Sequence, residues 1–172
     1  MDATSKFKDT LPTTPEKLLL LLDSLEIAYV MYRHPPLRTV EDSKAHRDNM
    51  PGLHIKNLFL RDRKKQNFLL VVEEDRKIDM KSLNQKIGCE RLSFGSAERL
   101  FEMLGVRPGA VSPLTLINDP DHKVHLVLDI ALRTNKVIFA HPLVNDMTLG
   151  IEGHYLLQFF GYTGHKAQWL DL

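Results

Sequence analysis

The stretch that decides the fold is HIKNLFLRD, residues 54–62, together with the run NFLLVVEE at 67–74. Both segments are short and mainly apolar, and the polar run RKKQ separates them, which is typical of a β-hairpin with a basic tip. Successive side chains of a strand point to opposite faces, and both faces of HIKNLFLRD are mainly apolar. The hairpin is therefore expected to lie in a sheet that is covered on both sides.

Lys56 and Asn57 are the polar residues at the start of this apolar run. Strict alternation places their side chains on opposite faces of the strand. The ordinary explanation is a polar strand start whose head reaches water, since a lysine chain snorkels readily and is rarely buried without a partner. This stretch alone leaves a functional role for the two residues open.

The remaining pattern alternates irregularly between helix and strand signals. Helical spacing follows the Thr14–Pro15 start, and helices are also expected at 39–49, 79–87, 97–104 and 152–160, the last stopped by Gly161. Strands are expected at 27–32, 91–94, 114–118, 124–132, 136–141 and 167–172. These elements predict an α+β single domain over 14–172, with a mixed, mostly antiparallel sheet flanked by helices, after a flexible N-terminal arm at 1–13.

Composition narrows the function classes. The 172 residues carry 23 Lys plus Arg against 22 Asp plus Glu, so a nucleic-acid partner would have to meet a local basic patch. Cys89 is the single cysteine, which excludes an intramolecular disulfide and favours a reducing compartment. The longest aliphatic run, Leu18–Leu22, is far too short for a membrane span, and a cytoplasmic protein without a membrane partner is expected.

Common catalytic motifs are missing from the sequence. The 8 histidines form no His-Glu-x-x-His pattern, and GVRPG and GYTG lack the Lys-Ser/Thr of a phosphate-binding loop. A Gly-x-Ser-x-Gly elbow is also absent. No metal and no cofactor are therefore expected.

Two further segments stand out beside the hairpin. In PGAVSPLTL, Gly109 and Pro113 bracket a stiff loop in which glycine allows a ligand to approach the backbone. In FAHPLVND, His141 ends an apolar strand that Pro142 interrupts. Each segment taken alone is more typical of a turn than of a site.

Four segments taken together are more specific. HPPLRTVED, IKNLFLRDRKKQNFLLVV, RLSFGSAERLFEMLGVRPGAVSPLTLIND and VIFAHPLVNDMTLGI resemble the YbaK/prolyl-tRNA-synthetase-associated domain family, and in particular its free-standing PrdX (ProXp-ala) branch. The resemblance covers about residues 14–160 and implies a YbaK-like, barrel-like sheet. It also implies trans-editing, the hydrolysis of mischarged Ala-tRNA(Pro). A synthetase pocket rejects a smaller side chain only by roughly 10–200-fold per missing methylene, so a second pocket supplies the rest.

The resemblance assigns roles to individual residues. Lys56 matches the family's functional lysine, which binds the terminal adenosine end or polarises the ester. The loop from Gly109 through Ala110 to Pro113 matches a Gly-x-x-x-Pro loop whose backbone orients the aminoacyl group and a water. His141 matches a histidine that binds the terminal ribose or phosphate.

Weaker correspondences complete the expected site. Asn57 is a substrate contact, Asn145 a pocket or loop-ordering residue, and Arg91 an RNA contact. Glu41 lies, with Thr39 and Val40, in the segment that resembles the pocket cover. The basic tip, defined as Arg61, Arg63, Lys64 and Lys65, is either an acceptor-stem contact or a solvated turn.

The implied partners are the acceptor end of mischarged tRNA(Pro) and prolyl-tRNA synthetase. No strong general base is evident, so water orientation, assisted by the tRNA's own vicinal hydroxyl, is the expected mechanism. Two alternatives remain open at this point: a deacylase for Cys-tRNA(Pro) or another small amino acid, and a non-catalytic module that binds tRNA or the synthetase.

Overall fold

The computed structural model describes residues 2–37, 44, 50–134 and 136–172. Within these residues, the strands are β1 (Tyr29–Arg33), β2 (Leu53–Arg61), β3 (Asn67–Glu73), β4 (Ser93–Phe94), β5 (Val124–Asp129), β6 (Val137–Ala140), β7 (Met147–Glu152) and β8 (Gln168–Leu170). The helices are α1 (Pro15–Ser24), α2 (Met80–Ile87), α3 (Ala97–Leu104) and α4 (Gly153–Thr163). Short 3-10 helices span Ser5–Thr10, Pro113–Asn118 and Ile130–Leu132.

The strands form one mixed sheet in the order β1-β7-β6-β2-β3-β5-β8, with β4 paired to β2 off this path. The pairs β2–β6, β3–β5 and β5–β8 are parallel, and the other pairs are antiparallel. The predicted α+β class with a mixed sheet is confirmed. The sheet is open, since in the described part of the chain β1 and β8 pair with other strands and not with each other, so the barrel-like expectation holds only loosely.

The hairpin of β2 and β3 is the centre of this sheet. Its antiparallel register runs from Ile55 opposite Glu73 to Arg61 opposite Asn67. One face of the hairpin, with Phe59 and Leu69, packs into the main core, and the other face packs into a second apolar cluster beneath α2. The prediction that both faces are covered is confirmed, and this burial explains why the hairpin sequence is apolar at nearly every position.

Helix starts follow the signals in the sequence. The Thr14 side chain accepts a hydrogen bond from the N–H of Lys17, and Ser96 caps α3 in the same way through Arg99. Gly88 ends α2 in the left-handed region at φ +80°. The predicted stop at Gly161 is wrong, because α4 continues to Thr163 and Gly164 takes the left-handed position. None of the described helices is long and apolar enough to cross a membrane.

Two strand predictions need correction, and one helix prediction lies outside the structure. The strand expected at 114–118 is a 3-10 helix, because Pro113 starts it and the Ser112 hydroxyl accepts from the Leu114 N–H. β7 was not predicted; it pairs with both β1 and β6. The helix expected at 39–49 falls outside the described residues except for Lys44.

The segment expected to be a flexible arm packs against the domain. Ala3 and Leu11 are buried in the main core. Ser5 bonds the Asp146 carboxylate through both its N–H and its hydroxyl, and the Asn145 N–H donates to the Ala3 carbonyl at 2.9 Å. Residues 1–13 are mainly polar, and the partners Asn145 and Asp146 lie far away in the chain, so no local pattern indicated this packing.

Candidate active site

A small cavity of about 50 Å³ lies where β2 meets β6. These strands pair in parallel through only two residue pairs, Leu53 with Ile138 and His54 with Phe139, and we call this short junction the seam. No further residue pair joins these two described strands. The cavity is lined by Met50, His54, Ile55, Asn57, Glu74, Phe139, Ala140, His141 and Thr148.

His141 is held in one orientation at the cavity wall. Its Nδ1 lies 2.7 Å from the Met147 carbonyl oxygen and 3.4 Å from the Thr148 hydroxyl. A carbonyl oxygen can only accept, so Nδ1 carries the proton and Nε2 is the lone-pair nitrogen of the neutral ring. Among the described residues, Nε2 has no hydrogen-bond partner.

A second histidine extends this network. His34 Nδ1 donates to the Pro35 carbonyl at 2.8 Å, so its Nε2 accepts from the Thr148 hydroxyl, also at 2.8 Å. The His34 and His141 rings lie 6.1 Å apart between centroids. Thr148 therefore links the two imidazoles, while the Met147 and Pro35 carbonyls determine which nitrogen of each neutral ring carries the proton.

The pKa of His141 lies below its ordinary value. Burial is the main cause, because it penalises the charged imidazolium, and the nearby His34 lowers the pKa further. The hydrogen bond to the Met147 carbonyl and the charge of Asp146 oppose the shift without cancelling it. His141 is therefore neutral near pH 7 and offers an acceptor nitrogen.

Asn57 contributes a buried acceptor to the cavity. Within the described residues, its Oδ1 is buried and has no hydrogen-bond partner. A buried amide oxygen without a partner costs free energy, about 1–3 kcal/mol, so such groups are uncommon in folded proteins. Asn57 is therefore a polar residue of the cavity lining whose amide oxygen is enclosed by the protein.

Aromatic stacking makes the remaining wall rigid. His54 stacks on Phe139 with 4.7 Å between ring centroids, and its Nε2 donates to the Met50 carbonyl at 3.0 Å. Tyr32 meets Phe139 edge-on from β1. The seam and this stack together hold the width of the cavity.

The Gly109–Pro113 loop supports the site through Asn145 and through the backbone of His141. Gly109 adopts φ +95°, and a Cβ on it would lie 3.3 Å from Asn145 Nδ2. Asn145 Nδ2 donates to the Leu37 carbonyl, and its Oδ1 is another buried acceptor without a partner among the described residues. The Ser112 hydroxyl donates to the His141 carbonyl at 2.6 Å, so the loop fixes the backbone of His141.

The structure places Lys56 away from this cavity. Lys56 lies opposite Val72 of β3, whose side chain belongs to the second apolar cluster, and its ammonium donates to the Arg76 carbonyl. Asn57 lines the cavity on the other face, as alternation requires. The structure thus brings together Asn57 and His141, and Gly109 and Asn145, but leaves Lys56 apart.

The other predicted residues lie at the periphery or inside the core. Ala110 and Pro113 are buried, so their side chains serve packing. Arg91 is exposed on the segment before β4. In the basic tip, Lys64 lies 3.6 Å from Glu90. Glu41, Thr39 and Val40 lie outside the described residues.

The sequence did not single out Glu74, His54, His34 or Thr148 as site residues. Glu74 ends the apolar hairpin and is only 7% exposed, and its N–H donates to the His54 carbonyl. The sequence signal for Glu74 was a glutamate at the end of a buried strand. The sequence does not give the strand pairing that places Glu74 and His141 in the same cavity lining. In the described ranges, no three His, Cys, Asp or Glu side chains are grouped to hold a metal ion.

Comparison with known proteins identifies the family. The aminoacyl-tRNA editing domain family matches residues 34–159. The chain belongs to this family. The prolyl-tRNA editing protein ProX of Acetoanaerobium sticklandii is 39% identical over 159 residues, which is 91% of this chain and 96% of the relative.

Further relatives agree with this membership. Prolyl-tRNA synthetase associated domain-containing protein 1 of Mus musculus is 36% identical, covering 84% of this chain and 88% of the relative. The fold matches a solved structure of a proposed trans-editing enzyme for prolyl-tRNA synthetase at a TM-score of 0.66 and 18% identity, over 92% of this chain and 96% of that one. The prediction of an aminoacyl-tRNA deacylase is confirmed at the level of the family.

Proposed function

We propose that this editing-domain protein hydrolyses alanine from mischarged tRNA(Pro). The observation that carries the proposal is the size of the cavity, about 50 Å³, beside a fixed acceptor nitrogen on His141. The names of its relatives, which refer to prolyl-tRNA editing and to prolyl-tRNA synthetase, support tRNA(Pro) as the carrier.

Size exclusion accounts for the choice of amino acid. A cavity of about 10–15 Å³ holds one water molecule, so this cavity has room for only a few non-hydrogen atoms and favours a small side chain such as the methyl group of alanine. Phe139 and His54 form a stacked wall that resists widening, since packed interiors deform little. The cognate prolyl ester is therefore excluded, as a second sieve requires.

Hydrolysis needs a positioned water more than a strong base, because an aminoacyl ester is already activated. Neutral His141 accepts a hydrogen bond at Nε2, from the water or from the vicinal hydroxyl of the terminal ribose. Orientation of this kind lowers the barrier without a change in the enzyme's protonation. The ordered Gly109–Pro113 loop keeps His141 in place through Ser112.

Lys56 takes a separate role in this proposal. Its ammonium is held at the Arg76 carbonyl on the other face of β2, so it serves the RNA end of the substrate and not the amino-acid end. The exposed part of the basic tip, Arg63, Lys64 and Lys65, and the exposed Arg91 are proposed to contact acceptor-stem phosphates, which makes binding salt-dependent. Prolyl-tRNA synthetase is the further partner in this proposal.

The test is a deacylation assay with alanyl-, cysteinyl- and prolyl-tRNA(Pro). Catalytic amounts of wild type, Lys56→Ala and the exposed-lysine control Lys77→Ala are compared. We expect rapid release of alanine, sparing of proline, a large loss of activity in Lys56→Ala and wild-type rates in Lys77→Ala.

Other outcomes redirect the proposal in defined ways. Release of cysteine alone moves the pocket assignment to Cys-tRNA(Pro). Cleavage of the prolyl ester at a comparable rate contradicts the size argument. Normal turnover of alanyl-tRNA that lacks the terminal 2′-hydroxyl excludes assistance by that hydroxyl.

A further inference from the structure

One large apolar side chain lies exposed between the cavity and the basic tip. Phe94 of β4 is 68% exposed, and it belongs to neither apolar cluster of the described chain. Single exposed apolar residues are common on protein surfaces, so the exposure alone is not evidence for a site. The position of Phe94 in the sheet and the charges around it distinguish it from such residues.

The order of contacts along β2 places β4 between the cavity and the basic tip. On the edge of β2 opposite β3, the seam ends at His54, and β4 pairs with Leu60 and Arg61. Ile55 and Asn57, which line the cavity, come between these two pairings, and the basic tip begins at Arg61. A tRNA with its aminoacyl group in the cavity and its acceptor-stem phosphates at the tip therefore passes β4.

Phe94 lies on the face of β2 that carries Lys56. It is directly opposite Leu60, and residues opposite each other in an antiparallel pair share one face. Lys56 and Leu60 share that face as well, because side chains alternate along a strand. The lysine proposed to serve the RNA end of the substrate and the exposed aromatic ring are thus about 13 Å apart along one face, four residues at about 3.3 Å each.

The backbone around Phe94 is held in a fixed position. The Gly95 N–H donates to the Phe59 carbonyl at 2.9 Å, and a Cβ on Gly95 would overlap the Phe59 ring, so these two segments pack in close contact. Ser96 caps α3 directly afterwards through the Arg99 N–H. A fixed backbone lowers the entropic cost of covering the ring with a ligand.

The charges around Phe94 favour an anionic partner. Arg91, three positions earlier, is exposed, and the exposed part of the basic tip follows Arg61 along the hairpin. Lys64 lies 3.6 Å from Glu90, whereas Arg91 is in no salt bridge within the described chain. Cations beside an exposed aromatic ring are complementary to single-stranded nucleic acid, whose phosphates meet the charges and whose bases stack on the ring.

We propose that Phe94 stacks on an unpaired base of the tRNA 3′ end and so contributes to substrate binding. This inference rests on the proposed function and extends it from the aminoacyl group to the strand that carries it. Leu60 is about 10 Å along β2 from Asn57, three residues at about 3.3 Å each. The terminal nucleoside occupies this interval, so the base on Phe94 belongs to a preceding nucleotide. Stacking tolerates any base, and Phe94 therefore adds affinity without a choice among tRNAs.

The first test measures kcat and KM for alanyl-tRNA(Pro) at a fixed salt concentration. In Phe94→Ala, KM is expected to rise about 5- to 150-fold, the range for a base stacked on an aromatic ring, while kcat changes little. Phe94→Trp keeps the wild-type KM, and Phe94→Leu shows most of the rise because leucine is apolar without a π-face. The control is Tyr162→Ala, which removes a ring that is 56% exposed on α4 and keeps the wild-type KM.

Substrates that lack a single base separate stacking from a structural role. Alanyl-tRNA(Pro) is prepared with an abasic nucleotide at each unpaired position before the terminal adenosine. At the stacked position, KM of wild type is expected to rise about as much as KM of Phe94→Ala does on the intact substrate. Phe94→Ala shows no further rise on that substrate. A Phe94→Ala effect of the same size on every abasic substrate overturns the inference, because it indicates a structural role.

The remaining outcomes are equally decisive. A wild-type KM in Phe94→Ala overturns stacking, and loss of binding to prolyl-tRNA synthetase in that variant would then assign the ring to a protein partner. A wild-type KM in Phe94→Leu also overturns it, because any apolar contact then suffices. If wild type cleaves no alanyl-tRNA(Pro), the proposed function fails, and the Kd of uncharged tRNA(Pro) tests the ring separately. An equal Kd for wild type and Phe94→Ala then overturns the inference.

Discussion

Buried polar groups surround both Asp119 and the cavity. In the described chain, the groups around Asp119 have hydrogen-bond partners, whereas some of those around the cavity have none. Asp119 is 3% exposed, and its oxygens accept from the N–H groups of Lys123 and Val124 and from His165 Nε2 at 2.8–3.1 Å. In the cavity, by contrast, Asn57 Oδ1 lacks a partner in the described chain. The difference separates polar groups that hold the fold from polar groups that face a ligand.

The hydrogen bonds to Asp119 also explain the direction of its pKa shift. Burial raises the pKa of Asp119, but the bonds from His165, Lys123 and Val124 outweigh it, and the pKa lies below its ordinary value. The pair ties the loop before β5 to the residues after α4. For this reason we expect the Asp119 region to govern stability and the cavity to govern activity.

The largest expected effect is the loss of stability in Asp119→Ala. The substitution leaves three buried donors without their acceptor, His165 Nε2 and the N–H groups of Lys123 and Val124, and each such unsatisfied group costs about 1–3 kcal/mol. The control is Asp121→Ala, whose pair with Lys123 is exposed and screened by water, so its loss has little effect on the free energy of unfolding. Urea unfolding measures both. A cost in Asp119→Ala no larger than in the control would mean that the pair does not hold the fold.

An intermediate effect is expected from the protonation of His141. Its folded pKa is lowered, so the unfolded chain binds the proton first as pH falls. The contribution of neutral His141 to the free energy of unfolding is fully present above the unfolded pKa of about 6.5, and it is lost as pH falls through the lower folded pKa. Its size is about 1.4 kcal/mol for each pH unit that separates the folded pKa from the unfolded one. Unfolding of wild type and His141→Gln at about pH 7.5 and about pH 5.5, on either side of the unfolded pKa, is the measurement. A stability difference that does not change with pH contradicts the assignment.

The smallest effect on stability is expected from Asn57→Leu. Since the buried Oδ1 makes no bond in the described chain, its replacement by an apolar group of similar shape changes the free energy of unfolding by less than about 1 kcal/mol. Deacylation, however, should fall sharply. Asn118→Leu is the contrast, because Asn118 Nδ2 donates to the Leu104 carbonyl at 2.9 Å and its loss leaves that oxygen unpaired. If Asn57→Leu is the more destabilising change, the comparison between the two regions fails.

Local signals in the sequence were sufficient for much of the fold. The hairpin, the caps at Thr14 and Ser96 and the opposite facing of Lys56 and Asn57 depend only on neighbouring residues, and the structure has them as predicted. The error at 114–118 has a local cause as well. An apolar run after proline is compatible with either a strand or a 3-10 turn, and the Ser112 bonds decided the outcome.

The site was harder to predict because it depends on which strands are neighbours. Asn57 and His141 were expected from the resemblance. Glu74 lies beside the strand of Asn57 through the hairpin, but His141 and Thr148 reach these residues only through the pairing of β2 with β6 and of β6 with β7. No local pattern encodes these pairings. The Asp119–His165 pair was missed for the same reason, since its partners are 46 positions apart.

The seam has a consequence for the order of folding. It pairs Leu53 with Ile138 and His54 with Phe139, residues far apart in the chain, whereas the β2–β3 hairpin closes through a short turn. Loop-closure entropy must be offset before such distant pairs stabilise the chain, so we expect the hairpin to form early and the seam late. Because the cavity depends on the seam, we expect it to form late in folding, so a partly folded chain would lack the candidate site.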